Sequence, residues 1–465
     1  MRKFISLVLA LLCLCNVAFA QLKCEINECF ELTSIVFRLA EAPEYVNKNL
    51  AGYSRDIDTY FVKYKDHKLI PFIKELRTKN GVSYDAVAAA AAFLEIKNGE
   101  VRVKTVSNIL KISQIEPRWP EKTFQIFVSY LNDFYKKTKF NKFYLQQANL
   151  YNTAVERMNE RLKDLQLDWF QFFLGKGQEK TLVVVSLCNG AHNYAFQSPD
   201  KAEGIVIGCG SDAGGLPVYH KNIIFIVMHE LLHGYINPRI ANCWNQINTA
   251  SQKIYSYVKE DMRKLAYTNA QTTINEWLIN LLTIMYLEAY PIPNLSVDFL
   301  LKTHQSGGFI WMERSFMFMQ HFSERRNQFA TIDDYMPQIV SFINYTANHF
   351  DQVINEYSNR CPYIIDVFPV SGSTIPLGVD TITVRFSEPM LESHGMKPID
   401  DNKISEMPIS QMPFWQEVSI FKIAINKNEL DKNKTYGFRL IRTAFQSTKY
   451  YPIKEDYIYT FNTNE

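Results

Sequence analysis

The chain has 465 residues, of which 47% are hydrophobic and 21% are charged. Because one hydrophobic core rarely organises so long a chain, we expect two or three domains, and this composition excludes a largely disordered protein. The 50 lysines and arginines nearly balance the 48 aspartates and glutamates, and no long basic run occurs. This balance argues against nucleic acid as a partner.

The first twenty residues have the three parts of a signal peptide. Arg2 and Lys3 form a basic end, an apolar run extends from Phe4 to Val17, and residues 18–20 (AFA) provide a small-x-small cleavage site. No later apolar run approaches the roughly 20 residues that a membrane-spanning helix needs. We therefore expect a secreted or periplasmic mature chain without a transmembrane segment.

Six cysteines remain after the first twenty residues. An oxidising compartment permits disulfides, and Cys24 and Cys29 are close enough in the sequence to close a small loop. The sequence leaves open the pairing of the other four, which are Cys188, Cys209, Cys243 and Cys361. The absence of CxxC spacing argues against a thiolate zinc site.

From residue 22 to about 180 the sequence is typical of helices. The alanine-rich segment 83–96 (SYDAVAAAAAFLEI) is helix-prone. Segments 124–140 and 149–166 show apolar residues at three-and-four spacing with charges between them. We interpret this part of the chain as a helical packing layer.

The pattern changes at residue 181. The β-branched run Thr181–Leu187 and the glycine-bounded run Gly204–Gly210 predict two buried strands. An apolar helix should follow from Ile223 and end at Asn237-Pro238, because proline cannot continue a helix and restricts its predecessor. A second apolar helix is predicted from Asn269 to about Pro291, followed by further amphipathic helices.

The helix from Ile223 carries an HExxH motif, formed by His229, Glu230 and His233. The spacing of four places both imidazoles on one face, so that both can bind one metal ion. Glu230 is offset by roughly 100° and can lie beside the ion, where it can take a proton from a metal-bound water. In the alternative interpretation, the histidines bond to backbone and Glu230 meets solvent. The apolar flanks favour the metal, because they leave little water for these groups.

A catalytic zinc site needs a third protein ligand. Ile236 and Arg239 stand where a metzincin would have glycine and histidine, so that pattern is absent. Glu276 is the best candidate, because the eleven residues that follow it carry no charge and a lone carboxylate in so apolar a helix favours a cation. Alternatively, Glu276 is a solvated acid near the helix start. Asn280, one turn later, is a candidate to orient a histidine. Weaker ligand candidates are His220, Glu260, Asp261 and Glu288.

The motif and the later glutamate resemble the gluzincin peptidases. The resemblance implies that His229, His233 and Glu276 bind zinc and that Glu230 is the general base. The chain departs from the gluzincins at Asn280, where an aspartate is often found.

A second resemblance covers the mature chain before Cys361. The segments 85–93 (DAVAAAAAF) and 274–277 (INEW) are similar to a family of secreted bacterial proteins of unknown function.

In zincin folds, an edge strand before the active-site helix pairs with an extended peptide substrate. Gly204–Gly210 is placed to be this edge strand and to offer backbone groups for strand addition. The alternative is an interior strand. The sequence does not single out the group that would stabilise the oxyanion. Its candidates are His192, Tyr194, Tyr235, Tyr290 and His304.

After Cys361, short strand-like runs alternate with turn residues for about 100 residues, which predicts an all-β sandwich. The sequences FSEPM at 386–390 and YTFNT at 459–463 are similar to bacterial Ig-like modules. The resemblance implies a module that positions or stabilises the rest of the chain, or binds a surface or glycan.

Together these patterns predict an α+β protein, with a zincin-like, mainly helical catalytic region containing a small sheet and then an all-β Ig-like sandwich. The expected boundaries are a signal peptide at 1–20, a metallopeptidase region at 21–360, with its helical part to about 180 and its catalytic part from 181, and an Ig-like domain at 361–465. The expected function is zinc-dependent hydrolysis of a peptide or protein substrate. Two alternatives stay open: a non-catalytic secreted binding or scaffold protein with a zincin fold, and a zinc hydrolase of a non-peptide substrate.

Overall fold

The structure is a computed structural model that describes residues 22, 24–105, 110–175, 181–199, 203–375 and 378–464. The predicted signal peptide at 1–20 lies outside these residues. The chain is a mixed α+β protein with several small sheets and a strand-rich C-terminal region. Two compact units are distinguished, one from Met1–Ala241 and Arg326–Tyr335 and the other from Asn242–Arg325 and Met336–Glu465. In the part of the chain that is described, no helix combines the length and apolar character needed to cross a membrane.

The first unit begins with the predicted helical layer. Its helices are α1 (Glu28–Leu39), α2 (Ala51–Phe61), α3 (Leu69–Asn80), α4 (Asp85–Ala92), α5 (Ile112–Ile115), α6 (Glu121–Thr138), α7 (Phe140–Gln146) and α8 (Ala148–Leu162). The alanine-rich segment forms α4, and its small side chains allow Ala88, Ala91 and Ala92 to pack closely against Phe30 and Phe196. The predicted helix ends earlier than residue 96, because Leu94–Lys97 (β2) pairs with Glu100–Val103 (β3) as a hairpin.

A four-stranded sheet completes this layer, and its strands are β1 (Cys24–Ile26), β4 (Leu182–Val185), β5 (Asn193–Gln197) and β6 (Glu203–Ile207). Across the sheet they follow the order β1-β4-β6-β5. The strands β1, β4 and β6 are parallel, and β5 is antiparallel to β6. The short pair β7 (Gly210–Ser211) and β8 (Pro217–Val218) follows.

The two predicted strands at 181–187 and 204–210 are therefore confirmed, but the edge position expected for the second is wrong. The strand β6 pairs with β4 on one side and with β5 on the other, so it lies inside the sheet. The apolar run of β6 predicts burial of its two faces, whereas its place in the sheet depends on the other strands that pair with it. The edge next to β6 is the half-buried strand β5, and β1 is the edge at the other end of the sheet.

The helix that carries HExxH is α9 (Ile223–Lys264), a single helix of 42 residues. The prediction that it ends at Asn237-Pro238 is wrong, because Pro238 lies inside it. An internal proline costs about 3 kcal/mol. The following turns offset this cost, since Ile240, Ile247 and Ile254 are buried and each such side chain contributes about 1.5–3 kcal/mol.

The second unit contains further helices: α10 (Ala270–Ala289), α11 (Val297–Ser306), α12 (Met312–Glu324), most of α13 (Ile332–Asn348) and α14 (Phe350–Ser358). The helix α10 confirms the predicted second apolar helix. Its start is capped by Asn269, whose side chain accepts a hydrogen bond from the Thr272 amide at 2.9 Å. Trp277 anchors its middle, because the indole donates to the Ser315 hydroxyl at 2.9 Å and stacks on Phe342.

The C-terminal region contains two four-stranded sheets. One has the order β13-β14-β10-β9, formed by β9 (Ile364–Phe368), β10 (Thr381–Phe386), β13 (Phe414–Glu417) and β14 (Ile420–Ala424). The other joins β11 (Met396–Lys397), β12 (Ser405–Glu406), β15 (Thr435–Leu440) and β16 (Tyr457–Asn462). Side chains of both sheets form one buried cluster, as shown by Val384 and Phe421 from the first and Phe438 and Phe461 from the second.

Within the second unit, a buried charge network joins this region to the helices. The ammonium group of Lys302 on α11 donates to the Tyr451 hydroxyl at 2.6 Å and pairs with Glu313 on α12. Arg360 pairs with the other oxygen of Glu313. Because Lys302 is only 7% exposed, its charge depends on these partners.

The six cysteines at positions 24 to 361 are buried free thiols, so the loop closure expected for Cys24 and Cys29 is not formed. Cys24 lies in β1, where its thiol donates to the Val155 carbonyl at 3.4 Å, and Cys29 lies in the first turn of α1. Burial raises the pKa of both thiols to about 12.

Candidate metal centre

The helix α9 presents the two histidines of the HExxH motif on one face. The ring centroids of His229 and His233 lie 5.1 Å apart, and both side chains are half-buried. This is the arrangement predicted from their spacing of four residues. Half-burial matters, because it limits the water that would otherwise satisfy the ring nitrogens.

Glu276, from the first turns of α10, completes a group of possible metal ligands. One ligand atom from each of His229, His233 and Glu276 lies within 4.8 Å of the others. The weaker candidates are not part of this group. His220 and Glu260 are exposed, Asp261 pairs with Lys264, and Glu288 accepts a hydrogen bond from Gln320.

The chemistry of this group fits zinc. Two imidazole nitrogens and one carboxylate oxygen are the ligand set that catalytic zinc sites use, with a fourth position left for water. Thiolates are absent from the group, which disfavours the softer metals.

A tyrosine holds the carboxylate of the group. The Tyr267 hydroxyl donates to Oε2 of Glu276 at 3.0 Å. This contact fixes one carboxylate oxygen and orients the other. The sequence analysis missed Tyr267, which lies in the turn between α9 and α10 and has no motif of its own.

An asparagine contacts one of the histidines. The Asn237 amide lies 3.3 Å from Nδ1 of His233, one turn further along α9. The Asn237 oxygen is buried without a hydrogen-bond partner, whereas a histidine that binds metal through Nε2 carries a proton on Nδ1. Turning the amide over pairs that oxygen with the Nδ1–H group, which is the contact that ligating histidines usually make.

The residue expected in this role was Asn280. It is buried in α10, and among the described residues its side chain makes no hydrogen bond to either histidine. The spacing of four between His233 and Asn237 was the signal that the sequence offered.

Glu230 follows His229 in the sequence and is half-buried. Its negative charge acts on the phenol of Tyr194 in β5. Burial raises the pKa of the Tyr194 phenol, and the negative charges of Glu44, Asp85 and Glu230 raise it further. Tyr194 therefore stays protonated and able to donate. The other oxyanion candidates contact aromatic rings: His192 lies beside Tyr194, Tyr235 on Phe170, Tyr290 on Tyr286 and His304 on Phe309.

Comparison with the curated proteins finds no match. A family model covers residues 22–342, which is most of the chain and includes both the HExxH helix and α10. This agrees with the resemblance to a family of unknown function that segments 85–93 and 274–277 suggested. The chain belongs to the family described as Domain of unknown function (DUF4932).

Proposed function

We propose that this protein is an exported zinc-dependent metallopeptidase. The observation that carries the proposal is the grouping of His229, His233 and Glu276, whose ligand atoms lie within 4.8 Å of one another. Two of these ligands come from one helix and the third comes from a helix more than 40 positions later. Such a grouping is not required by the local packing of either helix.

The proposed reaction is hydrolysis of a peptide bond. A bound zinc ion would polarise a water molecule and lower its pKa. Glu230 would accept a proton from this water as the water oxygen bonds to the peptide carbonyl carbon, and would pass the proton to the amine nitrogen as the C–N bond breaks. Tyr267 and Asn237 keep the Glu276 carboxylate and the His233 ring in place.

The proposed substrate is an extended peptide that adds to β5. This strand replaces β6 as the edge that the sequence analysis sought, because β5 ends the sheet among the described residues. Its outer backbone groups are suited to strand addition. Tyr194 lies on this strand, and the charge of Glu230 raises the pKa of its phenol, so the strand and the proposed general base interact electrostatically.

We also propose that residues 21–360 have a zincin-like fold and that residues 361–465 form an Ig-like module. The mixed sheet before α9 supports the first assignment. The two four-stranded sheets with one shared cluster support the second. The network of Lys302, Glu313 and Tyr451 supports a module that stabilises α11 and α12.

Metal analysis of the mature chain tests the proposal. We expect about one zinc ion per chain in the unmutated protein and in Glu230→Gln, with cleavage of a peptide library only by the unmutated protein. Glu276→Gln should lose most of the zinc. Glu288→Gln is the matched control, because it changes a solvent-exposed carboxylate of the same helix.

The alternatives predict other results. Zinc binding without peptide cleavage would favour a hydrolase of a non-peptide substrate. A mature chain without zinc would favour the non-catalytic scaffold and would overturn the proposal.

A further inference from the structure

Three aromatic side chains form a corner at the edge strand β5. His192 and Tyr194, two residues apart, have nearly parallel rings with centroids 6.1 Å apart. The Tyr84 ring stands close to perpendicular to both, at 6.0 Å from His192 and 6.3 Å from Tyr194. Tyr84 is 47% exposed and His192 is also exposed, so the corner is open to solvent. The group formed by Tyr84, His192 and Tyr194 is called the aromatic corner below.

The backbone of Tyr84 is held in a conformation that residues other than glycine rarely adopt, with φ 53° and ψ −121°. Two neighbours fix it. The Tyr84 amide donates to Oε1 of Glu44 at 3.4 Å, and the Tyr45 hydroxyl donates to the Tyr84 carbonyl at 3.4 Å. Such strain costs about 1–3 kcal/mol and persists only where the surroundings impose it. The fold thus keeps an exposed ring in a costly position.

The surroundings of the aromatic corner accept hydrogen bonds. Glu44 is 3% exposed; its Oε1 atom accepts from Arg77, while its Oε2 atom is buried without a partner. The Tyr194 hydroxyl is also buried without a partner. Asp85, directly after Tyr84, adds a further carboxylate, which pairs with Arg118. Two polar atoms therefore lack a hydrogen-bond partner at the corner: the hydroxyl of Tyr194 itself, and an oxygen of Glu44, whose other oxygen contacts the Tyr84 amide.

We infer that the aromatic corner binds a basic side chain of the substrate peptide, a lysine or an arginine. This inference rests on the proposed peptidase function and names its specificity. The faces of the Tyr84 and Tyr194 rings attract a cation electrostatically, and Glu44 Oε2 and the Tyr194 hydroxyl can accept from its N–H groups. The negative charge of Glu230 also acts at Tyr194 and favours a cation there, whereas Asp85 is already paired with Arg118. An acidic side chain would be repelled, and a neutral apolar side chain would leave both acceptors unpaired.

The position on β5 explains why the cation should belong to a peptide. A peptide that adds to an edge strand presents alternate side chains to the same face as the strand's own residues. His192 directly precedes β5, and its ring lies nearly parallel to that of Tyr194, so the two side chains are on the same side of the strand. A basic residue of the added strand can therefore lie over both rings while its backbone pairs with β5.

Matched peptides test the inference on the zinc-loaded mature chain. The library cleavage profile should show a basic residue at one position relative to the cleaved bond. Two N-acetylated peptides that differ only there, lysine against methionine, are then compared by kcat/KM. Tyr84→Gly removes the ring and also relieves the backbone strain, so it should not destabilise the fold. Tyr84→Phe keeps the ring, and Tyr363→Ala removes another exposed tyrosine as a control.

We expect Tyr84→Gly to lower kcat/KM about 3- to 30-fold for the lysine peptide and less than about twofold for the methionine peptide. Tyr84→Phe and Tyr363→Ala should retain the preference, and all variants should keep their zinc.

Equal cleavage of both peptides by the unmutated protein, or an unchanged preference in Tyr84→Gly, would overturn the inference and leave the peptidase proposal standing. Cleavage that requires a free amino terminus would also overturn it, because the cation would then be the terminal ammonium. Absence of zinc or of any cleavage would instead mark failure of the proposed function.

Discussion

Tyr267→Phe is the most direct test of how the candidate ligands are held. The substitution keeps the ring, which packs near Phe309, and removes only the hydroxyl that donates to Glu276 at 3.0 Å. If zinc binds to Glu276, the variant should bind zinc more weakly while folding normally.

The structure sets the size of the effect. A hydrogen bond to a charged acceptor contributes about 1.5–3 kcal/mol. Tyr267 is half-buried, so water can replace part of the lost bond. We therefore expect a loss of about 1–2 kcal/mol in zinc binding, or about 5- to 30-fold in affinity.

Competition between the protein and a fluorescent zinc chelator measures this affinity. Tyr255→Phe is the matched control, because it also removes a tyrosine hydroxyl, whose hydrogen bond among the described residues goes to the Tyr267 carbonyl at 3.5 Å and not to a candidate ligand. A zinc affinity of Tyr267→Phe within twofold of the unmutated protein would refute the reasoning. So would an equal loss in the control.

Three further predictions follow from buried polar groups. Asn237→Ala should weaken zinc binding about tenfold in the same assay, because the His233 ring loses its contact. Burial raises the pKa of Glu31 above 4.5, so the folded chain keeps a proton that the unfolded chain releases as the pH rises. The free energy of unfolding therefore falls as the pH rises between the unfolded-state and the folded-state pKa of Glu31, by at most about 1.4 kcal/mol per pH unit. Because Glu31→Gln removes this titration, it should raise the urea midpoint more at pH 8 than at pH 5. Lys302→Met should lower the free energy of unfolding by about 1–3 kcal/mol in urea titrations, because Glu313 loses a buried partner.

The candidate ligands were visible in the sequence because each of them stands out against its own neighbours. The spacing of His229 and His233 follows directly from the helical period, and Glu276 was conspicuous because the eleven residues after it carry no charge. Zinc binding itself stays a prediction. Tyr267 and Asn237 were missed because their roles depend on contacts and not on a motif.

The strand edge shows the opposite case. Runs of β-branched residues predicted the strands at 181–187 and 204–210, but position within a sheet depends on partners distant in the sequence. The strand β1, from the start of the described chain, pairs with β4, and β5 takes the edge. Similarly, Pro238 is tolerated in α9 because of the apolar side chains that are buried beyond it.

The sequence by itself determined most of the helical segments, two buried strands, the HExxH helix, the apolar helix in which eleven uncharged residues follow Glu276, and the change to short strands after Cys361. These follow from side-chain periods of 3.6 and 2 residues, which are properties of neighbouring positions. Only the tertiary structure decided that Glu276 lies with the two histidines, that β5 is the edge, and that Tyr84 is held in a strained conformation beside it. Those features arise from packing and hydrogen bonds between segments far apart in the chain, which no local period encodes.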